Sequence, residues 1–127
     1  GYTITSYFGY RPQIFGEGNR HSGIDIAGVP YGSNVYASNN GSIIRKGFSN
    51  DLGYHIMINH NNGYYTLYAH LSGFPADISL NSVVARGQVI GYIGQSGWAT
   101  GPHLHYQMNT CPEYWDWGCI LDPLLFY

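Results

Sequence analysis

A chain of 127 residues with 44% hydrophobic residues, 17% aromatics and a formal net charge of −2 has the size and apolar content of one domain around one core, and too many rings for a disordered segment. Five Lys and Arg against seven Asp and Glu, with no basic run, exclude the electrostatic footprint of a nucleic-acid binder. No apolar stretch approaches the roughly 20 residues that a helix needs to cross a bilayer.

The chain opens on Gly1-Tyr2-Thr3 without an initiator Met and reads as a single domain, 1–127, cut or processed from a longer parent. Short β-rich runs follow, punctuated by Gly and Asn, at 33–38, 41–46, 54–60, 64–71, 83–85, 88–93 and 103–108. Asn61-Asn62-Gly63 divides two of them and predicts a hairpin turn, because Asn and Gly accept positive φ. No window carries a helical stripe; the best candidate for a single turn lies at 74–78. An all-β domain of antiparallel strands is expected, with the sites on edges and loops. Tyr64, Tyr65 and Tyr68 read as half-buried strand residues or as one aromatic surface.

The histidines are the informative residues. His103-Leu104-His105 lies in a strand-like run, so the two imidazoles share a face while Leu104 turns to the core. Such a pair serves as metal ligands, or as a ligand beside an acid/base, or as two surface histidines. His21-Ser-Gly-Ile-Asp25 offers an imidazole and a carboxylate; extended chain would hold them about 13 Å apart, and Gly23 can supply the bend that brings both toward one ion. One His of the other motif would complete a three-ligand set of the kind zinc takes. His70, His55 and His60 are further candidates, the last two read as satisfied or exposed side chains. Glu17 and Glu113 are the only glutamates and no His-Glu-x-x-His occurs, which excludes the helix-borne metalloprotease arrangement. A Gly-x-Ser-x-Gly elbow is also absent. Cys111 and Cys119 bound a short segment; a disulfide is favoured over half of a thiolate zinc site, and it points to an oxidising compartment.

Taken together, His21-Ser-Gly-Ile-Asp25, Tyr68-Ala-His70-Leu71 and Thr100-Gly-Pro-His103-Leu-His105-Tyr106 resemble the three signature segments of the lysostaphin-like peptidases, the M23 or LytM family. The stretches at 4–11, 32–37 and 87–91 and Asp122-Pro123 fit as well, so the resemblance covers nearly the whole chain. It implies an all-β domain of the lysostaphin-like, duplicated-hybrid-motif type, with sheets and long loops around a groove that binds one zinc ion. The resemblance assigns His21, Asp25 and His105 as ligands, and His70 and His103 as the catalytic pair. The substrate it implies is peptide in the stems or cross-bridges of bacterial peptidoglycan, cleaved outside the cell, at the wall or from a virion: members include secreted autolysins, bacteriocins, phage lysins and tail-tip proteins. The isolated domain is expected to be monomeric. Two departures stand out. Several members carry a Tyr shortly before the first ligand, whereas here none lies between Tyr10 and Tyr31, leaving Tyr10 as the candidate. The Cys-bounded loop with Trp115 and Trp117 is not part of the shared motifs and is read as a wall of the substrate groove. With Tyr10, Tyr68 and Trp98, these two tryptophans make up the expected substrate-binding set. The rival readings are a non-catalytic relative that binds wall or activates another hydrolase, and a carbohydrate-binding β-domain.

Overall fold

The computed structural model describes residues 3–6, 9–10, 20–21, 24–27, 30–95 and 102–121; up to residue 27 only backbone is described, Ile26 excepted. Among these residues there are twelve strands and no helix: β1 (Thr3–Ser6), β2 (Gly9–Tyr10), β3 (Arg20–His21), β4 (Ile24–Ala27), β5 (Asn34–Tyr36), β6 (Gly41–Ser49), β7 (Gly53–Asn59), β8 (Tyr65–Gly73), β9 (Val83–Val84), β10 (Val89–Ile93), β11 (Leu104–Asn109) and β12 (Ile120–Leu121). The expected all-β architecture is therefore present, and each of the seven β-rich runs contains a strand. The turn between β7 and β8 is the expected one, with Asn61 at φ 61° and Gly63 at φ 89°. The stretch 74–78 makes one turn, closed by Ile78 N donating to Pro75 O at 3.1 Å, and does not continue as a helix.

One antiparallel sheet runs in the order β1-β4-β11-β8-β7-β6-β9, with β10 joining β8 to β5 and β12 lying on β11; β2 and β3 form a separate pair. Alternation along the long strands sends side chains to two apolar clusters, one on each face. Ile56 and Ile58 of β7 join Tyr68, Leu71, Leu104 and Tyr106 in the larger cluster. Met57, between the two isoleucines, joins Leu52, Leu67 and Ala69 in the smaller one. Each fully buried aliphatic side chain contributes about 1.5–3 kcal/mol, so the central strands β7, β8 and β11 hold the sheet.

The pairing of β8 with β7 slips once, and it slips at the candidate site. Ile56 pairs with Tyr68 but Tyr54 pairs with Leu71, so two steps along β7 answer three along β8. The extra residue is a β-bulge at Ala69–His70. It explains why Tyr68 and Leu71, three apart, lie in the same cluster, and it takes His70 out of the pleat at φ 62°. That left-handed conformation costs a non-glycine residue about 1–2 kcal/mol. A 2.7 Å hydrogen bond from His70 N to Leu52 O secures it.

Candidate metal and catalytic site

β11 lies between β4 and β8, so His105 has Asp25 as its register partner on one side and Ala69 on the other. Residues paired across antiparallel strands have Cβ atoms about 4.5–5.5 Å apart, so the backbone register alone makes positions 25 and 105 cross-strand neighbours. His21 is in β3, paired with Gly9 of β2. Its side chain and that of Asp25 lie outside what is described, as does Gly23 with the bend expected there.

Three imidazoles come together on the β8–β11 side. The rings of His70 and His103 are 4.9 Å apart between centroids, and those of His70 and His105 are 6.1 Å apart. His70 and His105 are buried at 4% and 3% exposure, while His103 is partly exposed. The bulge is what brings His70 into this group. His103 is fixed from the other side, its N–H donating to Gly94 O at 3.1 Å. Gly94 has to be glycine: a Cβ there would strike the backbone at Ser72 N and, at 2.6 Å, Leu71 C. Close backbone approach at Gly94 thus ties the start of β11 to the strand that carries His70.

A metal fits this donor set. Imidazole nitrogens and carboxylate oxygens are the ligands zinc takes among nitrogen and oxygen donors. A second cluster, Cys111, Asp116 and Cys119, also brings three potential ligand atoms within 4.8 Å of one another. Its two sulfurs are joined in the expected Cys111–Cys119 disulfide, so no thiolate is present to bind an ion.

The other histidines are structural, as read. His55 Nδ1 donates to Gly53 O at 3.0 Å, and burial holds the ring's pKa below the ordinary value. His60 donates from Nδ1 to Asn40 O at 2.8 Å and bonds Thr66 Oγ1 through Nε2 at 2.7 Å.

One expected substrate contact is overturned. Tyr68 is 1% exposed, its ring packs on Tyr106 at 5.3 Å, and its hydroxyl accepts from Ser38 N and Thr66 Oγ1 and donates to Ser38 Oγ. It is a core residue whose hydroxyl staples the segment after β5 to β8, and a substrate cannot reach it. Trp115 does stand at the surface, 60% exposed, edge-on to Tyr114 at 5.0 Å and near the Arg45 guanidinium at 5.8 Å; Trp117 is half-buried. Trp98 and the side chain of Tyr10 lie outside the described residues. Two residues that the sequence reading passed over are Gln107 and Asn109, buried polar side chains on β11. Their signal was the polar alternation His105, Gln107, Asn109 inside an otherwise apolar strand.

Comparison with known proteins places the whole chain among peptidases. A DD-carboxypeptidase/endopeptidase, Mpg, of Neisseria meningitidis is 47% identical over 105 residues, which is 82% of this chain and 24% of that protein. The peptidoglycan DD-endopeptidase ShyA of Vibrio cholerae is 40% identical over 88 residues, 69% of this chain and 20% of its own length. The chain thus spans a quarter or less of these relatives. In structure it is similar to the catalytic domain of the antimicrobial peptidase lysostaphin from Staphylococcus simulans, with a TM-score of 0.87 at 30% identity over 98% of this chain and 91% of that one. The model of peptidase family M23 matches residues 19–116, which run from the strand bearing His21 to the disulfide loop, and the chain belongs to that family.

Proposed function

We propose that this domain is a zinc-dependent endopeptidase that hydrolyses peptide bonds in the stems or cross-bridges of bacterial peptidoglycan. The observation that carries the reading is the convergence of His70, His103 and His105 beside the strand bearing Asp25. His21, Asp25 and His105 would hold the ion. When bound, zinc supplies Lewis acidity and lowers the pKa of water from 15.7 to about 7.

The chain's own groups do the rest. Water adds to the peptide carbonyl carbon, the C–N bond breaks, and one proton must travel from water to the departing nitrogen. His70 and His103 are neighbouring imidazoles, and between them they take that proton and return it to the amine, a contribution of about 10²–10⁴-fold. The strained backbone at His70 suits this role, because bulges and sparsely populated φ/ψ regions gather at reacting centres. The non-catalytic alternative loses ground because all five signature residues, His21, Asp25, His70, His103 and His105, are present. The disulfide suits work in an oxidising space outside the cytosol, as the catalytic domain of a longer secreted or virion-borne protein.

The test pairs metal analysis with digestion of purified peptidoglycans of differing cross-bridge chemistry, the fragments read by mass spectrometry. His21→Ala and Asp25→Ala lose zinc and activity together. His70→Ala and His103→Ala keep zinc and lose turnover by about 10²-fold or more. Wall digestion that survives chelation, or full activity in His105→Ala, would sink the proposal.

A further inference from the structure

Three polar side chains, His105, Gln107 and Asn109, follow one another along one face of β11 and are 3%, 1% and 0% exposed. The Gln107 amide has one possible orientation. Its nitrogen lies 2.6 Å from Tyr114 O, a backbone carbonyl that can only accept, and it also donates to Asn109 Oδ1 at 2.9 Å. Asn109 is oriented by the same logic, its Nδ2 donating to Glu113 O at 3.4 Å. Both Gln107 amide hydrogens are thereby engaged, so its Oε1 is the atom 3.2 Å from His105 Nε2. An acceptor in that place requires the ring proton on Nε2, and a neutral imidazole so protonated keeps its lone pair on Nδ1. Tyr114 and Glu113 belong to the loop closed by Cys111–Cys119, whose far end is held to β11 by Thr110 N donating to Cys119 O at 2.7 Å.

We propose that Gln107 is a positioning residue that selects the Nε2–H tautomer of His105 and so makes Nδ1 the metal-ligating atom, and that the disulfide loop holds Gln107 in the required orientation through the Tyr114 and Glu113 carbonyls. This rests on the reading of His105 as a ligand. The segment that the sequence offered as a groove wall thereby has a second role: it anchors a chain of hydrogen bonds ending at the metal site. Outer partners of this kind fix the tautomer and direction of ligating histidines, and their loss typically lowers metal affinity about 10–100-fold.

Three measurements on the whole domain decide the matter. Two-bond ¹H–¹⁵N correlation of the metal-free protein, at a pH where the imidazoles are neutral, places the His105 proton on Nε2; a proton on Nδ1 overturns the proposal without any variant. Chelator competition for zinc gives a loss of about 10–100-fold in Gln107→Leu, and in that variant the metal-free His105 no longer holds its proton on Nε2 alone. Wild-type affinity in Gln107→Leu, or an unchanged Nε2 proton there, overturns the assignment. Replacing the disulfide (Cys111→Ser/Cys119→Ser) weakens zinc binding in the wild type and has a smaller effect in Gln107→Leu, where the chain is already cut; equal effects in both backgrounds remove the loop from it. If His105→Ala itself retains zinc, the ligand reading has failed; if it loses zinc while the other results go the wrong way, only the role of Gln107 has.

Discussion

Replacing Gly94 by Ala should damage turnover beyond its cost to folding. The added Cβ meets backbone rather than a movable side chain, falling on Ser72 N, Leu71 C at 2.6 Å and Ser72 Cα at 2.8 Å. Overpacking of this kind costs about 1–3 kcal/mol. Pushing β10 off β8 also strains the His103 N–H bond to Gly94 O, worth about 0.5–1.5 kcal/mol. The sum, about 1.5–4.5 kcal/mol, is a large part of the roughly 5–15 kcal/mol that holds a domain together. With 127 residues at about 2.1 cal/mol/K each, the entropy of unfolding is near 270 cal/mol/K, and the midpoint should fall by about 6–17 °C. Scanning calorimetry on metal-free protein avoids the stabilisation that ligand binding adds. Gly41→Ala is the matched control. Its Cβ meets Asn59 O and Ile58 Cγ2 just as closely, but on the β6–β7 pairing, where no candidate site residue lies. Both variants should lose thermal stability, and only Gly94→Ala should also lose turnover at a temperature where both are folded. An unchanged midpoint in Gly94→Ala, or the same loss of turnover in Gly41→Ala, would refute the claim that Gly94 aligns His103 with β8.

Other consequences can be checked directly. Tyr68→Phe removes the acceptor of the Ser38 N–H, while the Thr66 hydroxyl keeps His60 Nε2; it should cost about 1–3 kcal/mol in denaturant unfolding with KM unchanged, and a raised KM would return Tyr68 to the substrate surface. Burial is the largest influence on the pKa of His55 and lowers it; the Gly53 carbonyl raises it by less, the Arg45 charge adds a smaller lowering, and Asp51 a smaller raising still. The unfolded chain therefore binds the extra proton first as pH falls, so this stability is complete above the ordinary value of 6.5 and is lost as pH falls toward the folded pKa. Urea midpoints at pH 5 and 7.5 should differ less in His55→Phe than in wild type. Replacing both cysteines by Ser opens a loop with a sequence separation of 8 and should cost about 2–3 kcal/mol by loop-closure entropy, read as a lower urea midpoint.

Much of this molecule is legible from one-dimensional pattern, and what is not legible has a common cause. Strands such as Gly53–Asn59 announce themselves because β-branched and aromatic residues run between Gly and Asn breaks. Two-residue strands do not: β12 exists only through the pairing of Met108 with Leu121 and Asn109 with Ile120, and β3 only through Gly9 and Tyr10. The motifs brought His70, His103 and His105 to attention as candidates, and their rings do meet. How they meet was hidden, because a bulge is a mismatch between two strands and nothing in Tyr68-Ala-His70-Leu71 alone declares it. Tyr68 misled for a related reason. Tyrosine suits half-exposed strand positions, and only the fold supplies its hydroxyl with Ser38, thirty residues away.

The positive φ of His70 sets folding against the chemistry proposed for that residue. Left-handed backbone is the ordinary habitat of glycine and, less often, asparagine. Drift under selection for stability alone would move position 70 toward those residues, so an imidazole there has to be maintained against a standing folding preference. Domains of this family that have given up hydrolysis are then free to relax at this point, and a gain in robustness accompanied by Asn or Gly in place of His70 would be the fossil of a lost reaction.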